Sequence, residues 1–173
     1  MGGCDTVVDV HGMKPPRFTK FTDLFIQPRY DETHPYNVNY LGTKRVLAAM
    51  KIQNVKKIVR ITGSLTGKPA FFFPIILFNF LLSMSPTWHE FSEIVIRESA
   101  LDYSVIRPTE IVAGPSAIRD QRSLILIQGD SGQRPPLKGK ISVDDVSDLV
   151  YKASKSLPCL SCSSVIVSSV GGS

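Results

Sequence analysis

An α/β protein with a parallel sheet is the fold class this sequence predicts, and three stretches predict it. From Asn37 to Ser64 a helix-period segment passes through a short turn into the β-branched run Lys57-Ile58-Val59-Arg60-Ile61, which stops at Thr62-Gly63-Ser64. A second helix-then-strand pair runs from Pro86 to Pro108, and a third from Ser142 to Val170. Helices alternating with apolar strands are the pattern of a parallel sheet covered by helices. With 173 residues, 43% hydrophobic and 20% charged, the chain suits one globular domain over 1–173 with a sizeable core.

Taken in order, Val7 to Val10 reads as a buried parallel strand ending in the loop His11-Gly12. Asp9 is unusual there, because a buried carboxylate needs a partner. Met13 to Pro35 has no clear period and reads as a loop with one short helix around Thr22 to Ile26. In the helix that follows, Val38, Gly42, Val46 and Ala49 share a face, with Lys44 and Lys51 opposite. Asn39 and Thr43 fall inside the buried arc, so both need hydrogen-bond partners. Asn54 occupies the turn before the strand. Ligands bind beyond the carboxyl ends of parallel strands, which makes Thr62, Gly63 and Ser64 a candidate site.

Lys68 to Met84 is the most apolar stretch, interrupted by Pro74 and Asn79. It is shorter than the roughly twenty residues a bilayer span needs, so it reads as a buried or lid segment over a pocket, with partial insertion into a membrane surface as the alternative. Ser85 is placed as the cap of the next helix and Pro86 in its first turn, with Trp88, Phe91, Ser92 and Val95 inward and Glu90, Glu93 and Arg97 outward. Leu101 to Pro108 follows as turn and strand, and Pro108, Thr109, Glu110 and Ile111 form its carboxyl-end loop. Ala113 to Lys140 is punctuated by Gly and Pro around a short apolar run, Leu124 to Ile127. Ser142 and Asp145 read as a capping pair for a helix with Val146, Leu149, Val150 and Ala153 inward. Ser163 to Val170 is the last strand.

The pattern N-x-x-G-T-K-x-V-L-A-A from Asn39, the linker ending Asn54-Val55-Lys56-Lys57 and the strand ending Thr62-Gly63-Ser64 resemble the short-chain dehydrogenase/reductase superfamily. Leu101-Asp102-Tyr103-Ser104-Val105-Ile106-Arg107-Pro108 is similar to the L-D-Y-(T/S)-(I/V)-(I/V)-R-P of its atypical, NmrA-like NAD(P)-binding branch, with Ala100 where that branch has Gly. The resemblance runs from about Cys4 to Gly171 and implies a Rossmann-like sheet containing family strands four to seven. It further implies that three strands and a G-x-x-G-x-x-G phosphate loop would precede Val7, and no such loop occurs in these residues. NADP or NAD is the implied cofactor, with His11, Gly12, Thr62, Gly63, Ser64, Pro108, Thr109, Glu110 and Ile111 as its binding residues and weak binding expected without the Gly-rich loop.

In the family a Tyr-x-x-x-Lys pair on the helix after the T-G-S strand moves the proton while the cofactor moves hydride. Pro86 to Glu98 contains neither Tyr nor Lys. Ser64 matches the position of the serine that polarises the substrate oxygen, and His89 stands where atypical members carry Lys, so these two are the candidate catalytic residues. The resemblance therefore implies an NAD(P)-binding, reductase-like protein acting on a small organic substrate. The alternative is a non-catalytic dinucleotide-binding or assembly protein, including an inactive truncated fragment.

The net charge of +5 is scattered, which reads as a solvated surface and not a nucleic-acid face. Three cysteines make no disulfide framework, and Cys159-Leu160-Ser161-Cys162 lacks the second ligand pair a structural zinc needs. A reducing, cytoplasmic setting is expected, with no cleavable leader in Met1 to Lys14. Gly2 and Cys4 fit an acylation pattern, but the strand beginning at Val7 leaves a lipid too little tether. Self-association through an exposed sheet edge is expected at Val7 to Val10.

Overall fold

The computed structural model describes residues 3–12, 31–67, 73–113, 124–128, 139–155 and 162–169. The chain runs through β1 (Thr6–Asp9), a π-helical turn (Tyr36–Leu41) continuing directly into α1 (Gly42–Ile52), β2 (Lys57–Ile61), α2 (Phe73–Leu81), α3 (Ser85–Arg97) and β3 (Asp102–Pro108). It continues through β4 (Glu110–Val112), β5 (Leu124–Gln128), β6 (Lys140–Ser142), α4 (Val143–Ser154) and β7 (Ser163–Ser169). The short helix expected around Thr22 to Ile26 lies outside the described residues, as does Cys159.

Five strands form one sheet in the order β1-β2-β3-β7-β5. The first four are mutually parallel, with Asp9 opposite Arg60, Ile61 opposite Ile106 and Pro108 opposite Val167. The Rossmann-like α/β expectation therefore holds. The apolar run Leu124 to Ile127 adds an edge strand, β5, that is antiparallel to β7. A separate parallel pair, β4 with β6, places Glu110 opposite Lys140.

The period of two along each strand divides the core into two layers. On one face Val59, Ile106, Val165 and Val167 pack with Val146, Leu149 and Ala153 of α4. On the other, Ile58 packs with Met50 of α1 and Ile96 of α3. The same alternation puts Arg60, Thr62 and Arg107 on the face covered by α3.

Several expectations need correction. Val7 to Val10 is not a buried strand: β1 is a sheet edge among the described residues, and Val8 and Val10 are exposed while Asp9 is buried. The described part of the apolar stretch is not buried throughout, although Leu82 at its end reaches the cavity at the start of α3; Lys68 to Phe72 lie outside the described residues. Phe73, Ile76, Leu77, Phe80 and Leu81, at helical spacing on α2, face outward, and Ile75 is buried. Ser85 does not cap α3; left-handed Met84 (φ 60°) does, while Ser85 lies buried in the first turn and accepts a hydrogen bond from Asn39 Nδ2 at 3.2 Å. Glu93, expected outward, is fully buried. Ser142 caps α4 as expected, accepting from the Asp145 N–H at 3.0 Å.

The helix beginning at Asn37 starts in π geometry, with the Gly42 N–H donating to Asn37 O five residues back. His11 Nε2 donates to Val38 O at 2.8 Å, tying the end of β1 to this turn. Gly42 is required by that approach, since a Cβ there would lie 2.9 Å from His11 Nε2. Thr43 finds the partner its burial demands, its Oγ1 donating to Asn39 O at 2.7 Å, whereas Asn39 is satisfied only through Nδ2 and its buried Oδ1 has no partner among the described residues. Ala100, where the resembled family has Gly, sits at φ 59°, a left-handed conformation that costs a side-chain-bearing residue about 1–2 kcal/mol.

Candidate functional site

Because β1, β2 and β3 are parallel, the loops that follow them emerge at the same edge of the sheet. Short backbone bonds knit two of these loops to their neighbours. The Thr62 N–H donates to Ile106 O (3.0 Å), the Ser64 N–H to Pro108 O (3.1 Å) and the Thr109 N–H to Val167 O (3.0 Å). A cavity of about 350 Å³ opens between these loops and the start of α3. Gly63, Ser64, His89, Pro108, Thr109 and Glu110 from the sequence-predicted set all line it. Leu65, Leu82 and Pro86 supply apolar wall, and Thr66 and Ser85 add hydroxyls.

Four predicted residues do not line this cavity. Thr62 turns beneath it, its Oγ1 donating to Glu93 Oε1 at 2.7 Å. Ile111 is half-exposed on β4. Gly12 follows β1, with open space where a Cβ would project. His11 sits deeper, its Nδ1 against Asp9 and 3.1 Å from Arg60 Nη1.

Two buried charge clusters hold this edge of the sheet, of which the sequence points only to Asp9 and its need for a partner. In the first, Glu93 gathers two arginines besides Thr62. Arg107 donates from Nε (3.1 Å) to Oε1 and from Nη2 (2.5 Å) to Oε2, and Arg97 Nη2 donates to Oε2 at 2.9 Å. Gly67, at φ 75°, lets the loop after β2 close onto Arg107; a Cβ there would lie 3.0 Å from Nη2. In the second, the fully buried Arg60 donates through Nη1 to Asp9 Oδ1 (2.8 Å) and to His11 O (3.0 Å). Burial pushes the Asp9 carboxyl up, but the His11 hydrogen bond and the Arg60 charge outweigh it and hold the group below its usual range. Burial lowers Arg60 from its ordinary value, opposed by Asp9 and more weakly by Glu93.

For the residues other than Asp9 the signal in the sequence is spacing: Arg60 and Thr62 share the face of Ile58, and Glu93 lies one turn after His89 on α3. Edge contacts among Tyr36, Tyr40, Trp88 and Phe91, with Tyr36 and Trp88 centroids 4.9 Å apart, brace the same helix against the π-helical turn.

His89 is pushed down to about 3, first by burial and then by the charges of Arg60 and His11, with Asp9 opposing. The ring is thus neutral near pH 7 and acts as a hydrogen-bonding group there, not as an imidazolium acid. Its Nδ1 has no partner among the described residues, and neither has Thr109 Oγ1. In the unfolded chain a histidine titrates near 6.5. Between that value and about 3 the unfolded state therefore binds more protons, so stability falls as the pH is lowered through this window. One such group contributes a slope of up to about 1.4 kcal/mol per pH unit. Denaturant titrations of the wild type and His89→Gln at pH 6.5, 5.5 and 4.5 should show a shallower decline in the variant; parallel declines would mean that His89 is freely solvated.

Fold and site together define the class: a Rossmann-like, NAD(P)-binding α/β protein. The profile of the NAD(P)H-binding family matches residues 1–156, and the chain belongs to that family. It is 28% identical over 136 residues to Protein TIC 62, chloroplastic, of Arabidopsis thaliana, covering 79% of this chain and 20% of that protein. In fold it is similar to a short-chain dehydrogenase/reductase from Veillonella parvula solved in complex with NADP (TM-score 0.62, 14% identity, 98% of this chain and 64% of that one). It is also similar to an oxidoreductase from Lactococcus lactis (TM-score 0.64, 12% identity, 97% of this chain and 63% of that one). The chain thus spans less than two thirds of either solved structure and a fifth of the curated relative. Among the described residues no helix is long and apolar enough to cross a membrane, and no group of residues is arranged to hold a metal ion.

Proposed function

We propose that the chain is the nicotinamide-end portion of a reductase-like NAD(P) protein. In this reading Gly63, Ser64, Pro108, Thr109 and Glu110 receive the nicotinamide half of NAD or NADP in the cavity, and His11, Gly12, Thr62 and Ile111 border it from outside. Ser64 and His89 face a small organic substrate. The observation that carries the reading is the cavity shared by the two loops and the first turns of α3. When bound, the dinucleotide supplies the hydride; these residues orient the acceptor and hydrogen-bond its oxygen.

The second reading, a non-catalytic dinucleotide-binding or assembly protein, is favoured by α3 itself, which carries neither Tyr nor Lys. A hydride-transfer assay over a panel of small carbonyl compounds separates the two.

Dinucleotide affinity in this fold depends on a pyrophosphate resting on the N–H groups of a Gly-rich loop. These 173 residues contain no G-x-x-G-x-x-G. Calorimetric titration of the purified chain with NADPH and NADH is therefore expected to give dissociation constants near the millimolar range, about −4 kcal/mol. Light scattering on the same sample should show association through the β1 edge, where Val8 and Val10 are exposed. A monodisperse monomer with micromolar affinity would overturn both expectations.

A further inference from the structure

Resting on that reading of the cavity as the substrate end, we propose that it selects an uncharged, mainly apolar ligand and that His89 sets this selectivity through a neutral hydrogen bond. Its volume of about 350 Å³ corresponds to roughly a dozen liquid-water volumes at ~30 Å³ each. The polar groups are the hydroxyls of Ser64, Thr66, Ser85 and Thr109 and the His89 ring, set among leucines and prolines. Among the described lining residues there is no Lys or Arg.

The two arginines beneath are already bound to carboxylates, Arg60 to Asp9 and Arg107 to Glu93, and neither lines the cavity. The carboxylate that does line it, Glu110, is well exposed and paired with Lys140 at 3.5 Å. An anionic ligand would surrender its hydration without meeting a counter-charge among the described lining residues, and it would face Glu110. A neutral ligand needs only a partner for one oxygen. His89, held uncharged by burial and by the nearby Arg60 charge, can offer that partner without adding charge.

Acetophenone and benzoate test this, because they have the same number of non-hydrogen atoms and differ in charge. Each is titrated at pH 7 into the isotopically labelled chain without dinucleotide, and amide shifts at Gly63 to Thr66 and Thr109 are followed. Acetophenone is expected to bind at least about tenfold more tightly than benzoate, the difference one uncompensated charge readily produces. His89→Leu should weaken acetophenone about fivefold, the worth of one hydrogen bond, and His89→Gln should restore most of it. Circular dichroism checks that both variants are folded. Benzoate binding as tightly as acetophenone, or His89→Leu leaving acetophenone unchanged, would overturn the inference. A separate NADPH titration keeps the outcomes apart. If the chain prefers acetophenone yet NADPH at about ten times the expected millimolar constant leaves the amides of Gly63 and Thr109 unshifted, the selectivity stands and the dinucleotide reading falls.

Discussion

Alanine at position 93 is expected to destabilise the chain by about 3–5 kcal/mol, the usual result of removing one partner from a buried ionic cluster. Globular domains are stable by only about 5–15 kcal/mol, so much of the folded population is at stake. The reason lies in where Glu93 sits. It is fully buried, and its two oxygens together accept from Thr62, Arg97 and from two nitrogens of Arg107. Removing it leaves Arg107, at 1% exposure, without the carboxylate that balances it. It also frees the loop after β2 from α3, so His89 loses its fixed position at the cavity wall. Glu93→Gln keeps acceptor and donor atoms but not the charge, and its loss should fall between wild type and alanine. Urea unfolding followed by circular dichroism measures all three chains. A shift below about 1 kcal/mol for alanine, within the range of ordinary surface substitutions, would mean that the cluster is solvated and the burial misjudged.

The second large effect is expected at Asp9. Asp9→Ala strands the Arg60 guanidinium, which is fully buried and whose Nε and Nη2 have no hydrogen-bond partner among the described residues. The expected loss is again about 3–5 kcal/mol. Replacing both members, as Asp9→Val with Arg60→Met, should recover most of it, because an apolar pair of similar bulk carries no desolvation penalty. That contrast distinguishes a stranded charge from simple loss of contacts, which would make the double variant worse than either single one. The two clusters also feel each other through the attraction of Glu93 for Arg60, so a combined Asp9 and Glu93 variant should not be additive.

The sequence revealed the parallel strands and the candidate loops for a physical reason. β-Branched runs such as Lys57 to Ile61 have few alternatives, and loops after parallel strands must share an edge. Asn39 and Thr43 were legible as buried polar residues because helical spacing fixed their face. Glu93 was not, since a glutamate beside Glu90 and near Arg97 ordinarily marks a solvated face. Only Arg107 and Thr62, brought beneath α3 by the sheet, make its burial tolerable. The outward face of α2 was missed because apolar composition suggests burial without saying what provides it. The antiparallel β5 was missed because five residues between Gly- and Pro-rich segments carry no sign of strand direction.

The position of β7 has a consequence for biosynthesis. As a ribosome delivers the chain, β1, β2 and β3 emerge in their spatial order and can pair as they appear. The next place in the sheet belongs to β7, which ends roughly sixty residues after β3. At the usual rates of about 5–20 residues per second this is a wait of several seconds. During that interval the β3 edge, with Val105 and Ile106 at its centre, lacks its permanent neighbour, and β5 has emerged with no strand to join. The nascent protein is therefore most prone to misassociation late in its synthesis. A stop codon before Ser163 would remove an interior strand and leave two uncapped apolar edges in place of one continuous sheet.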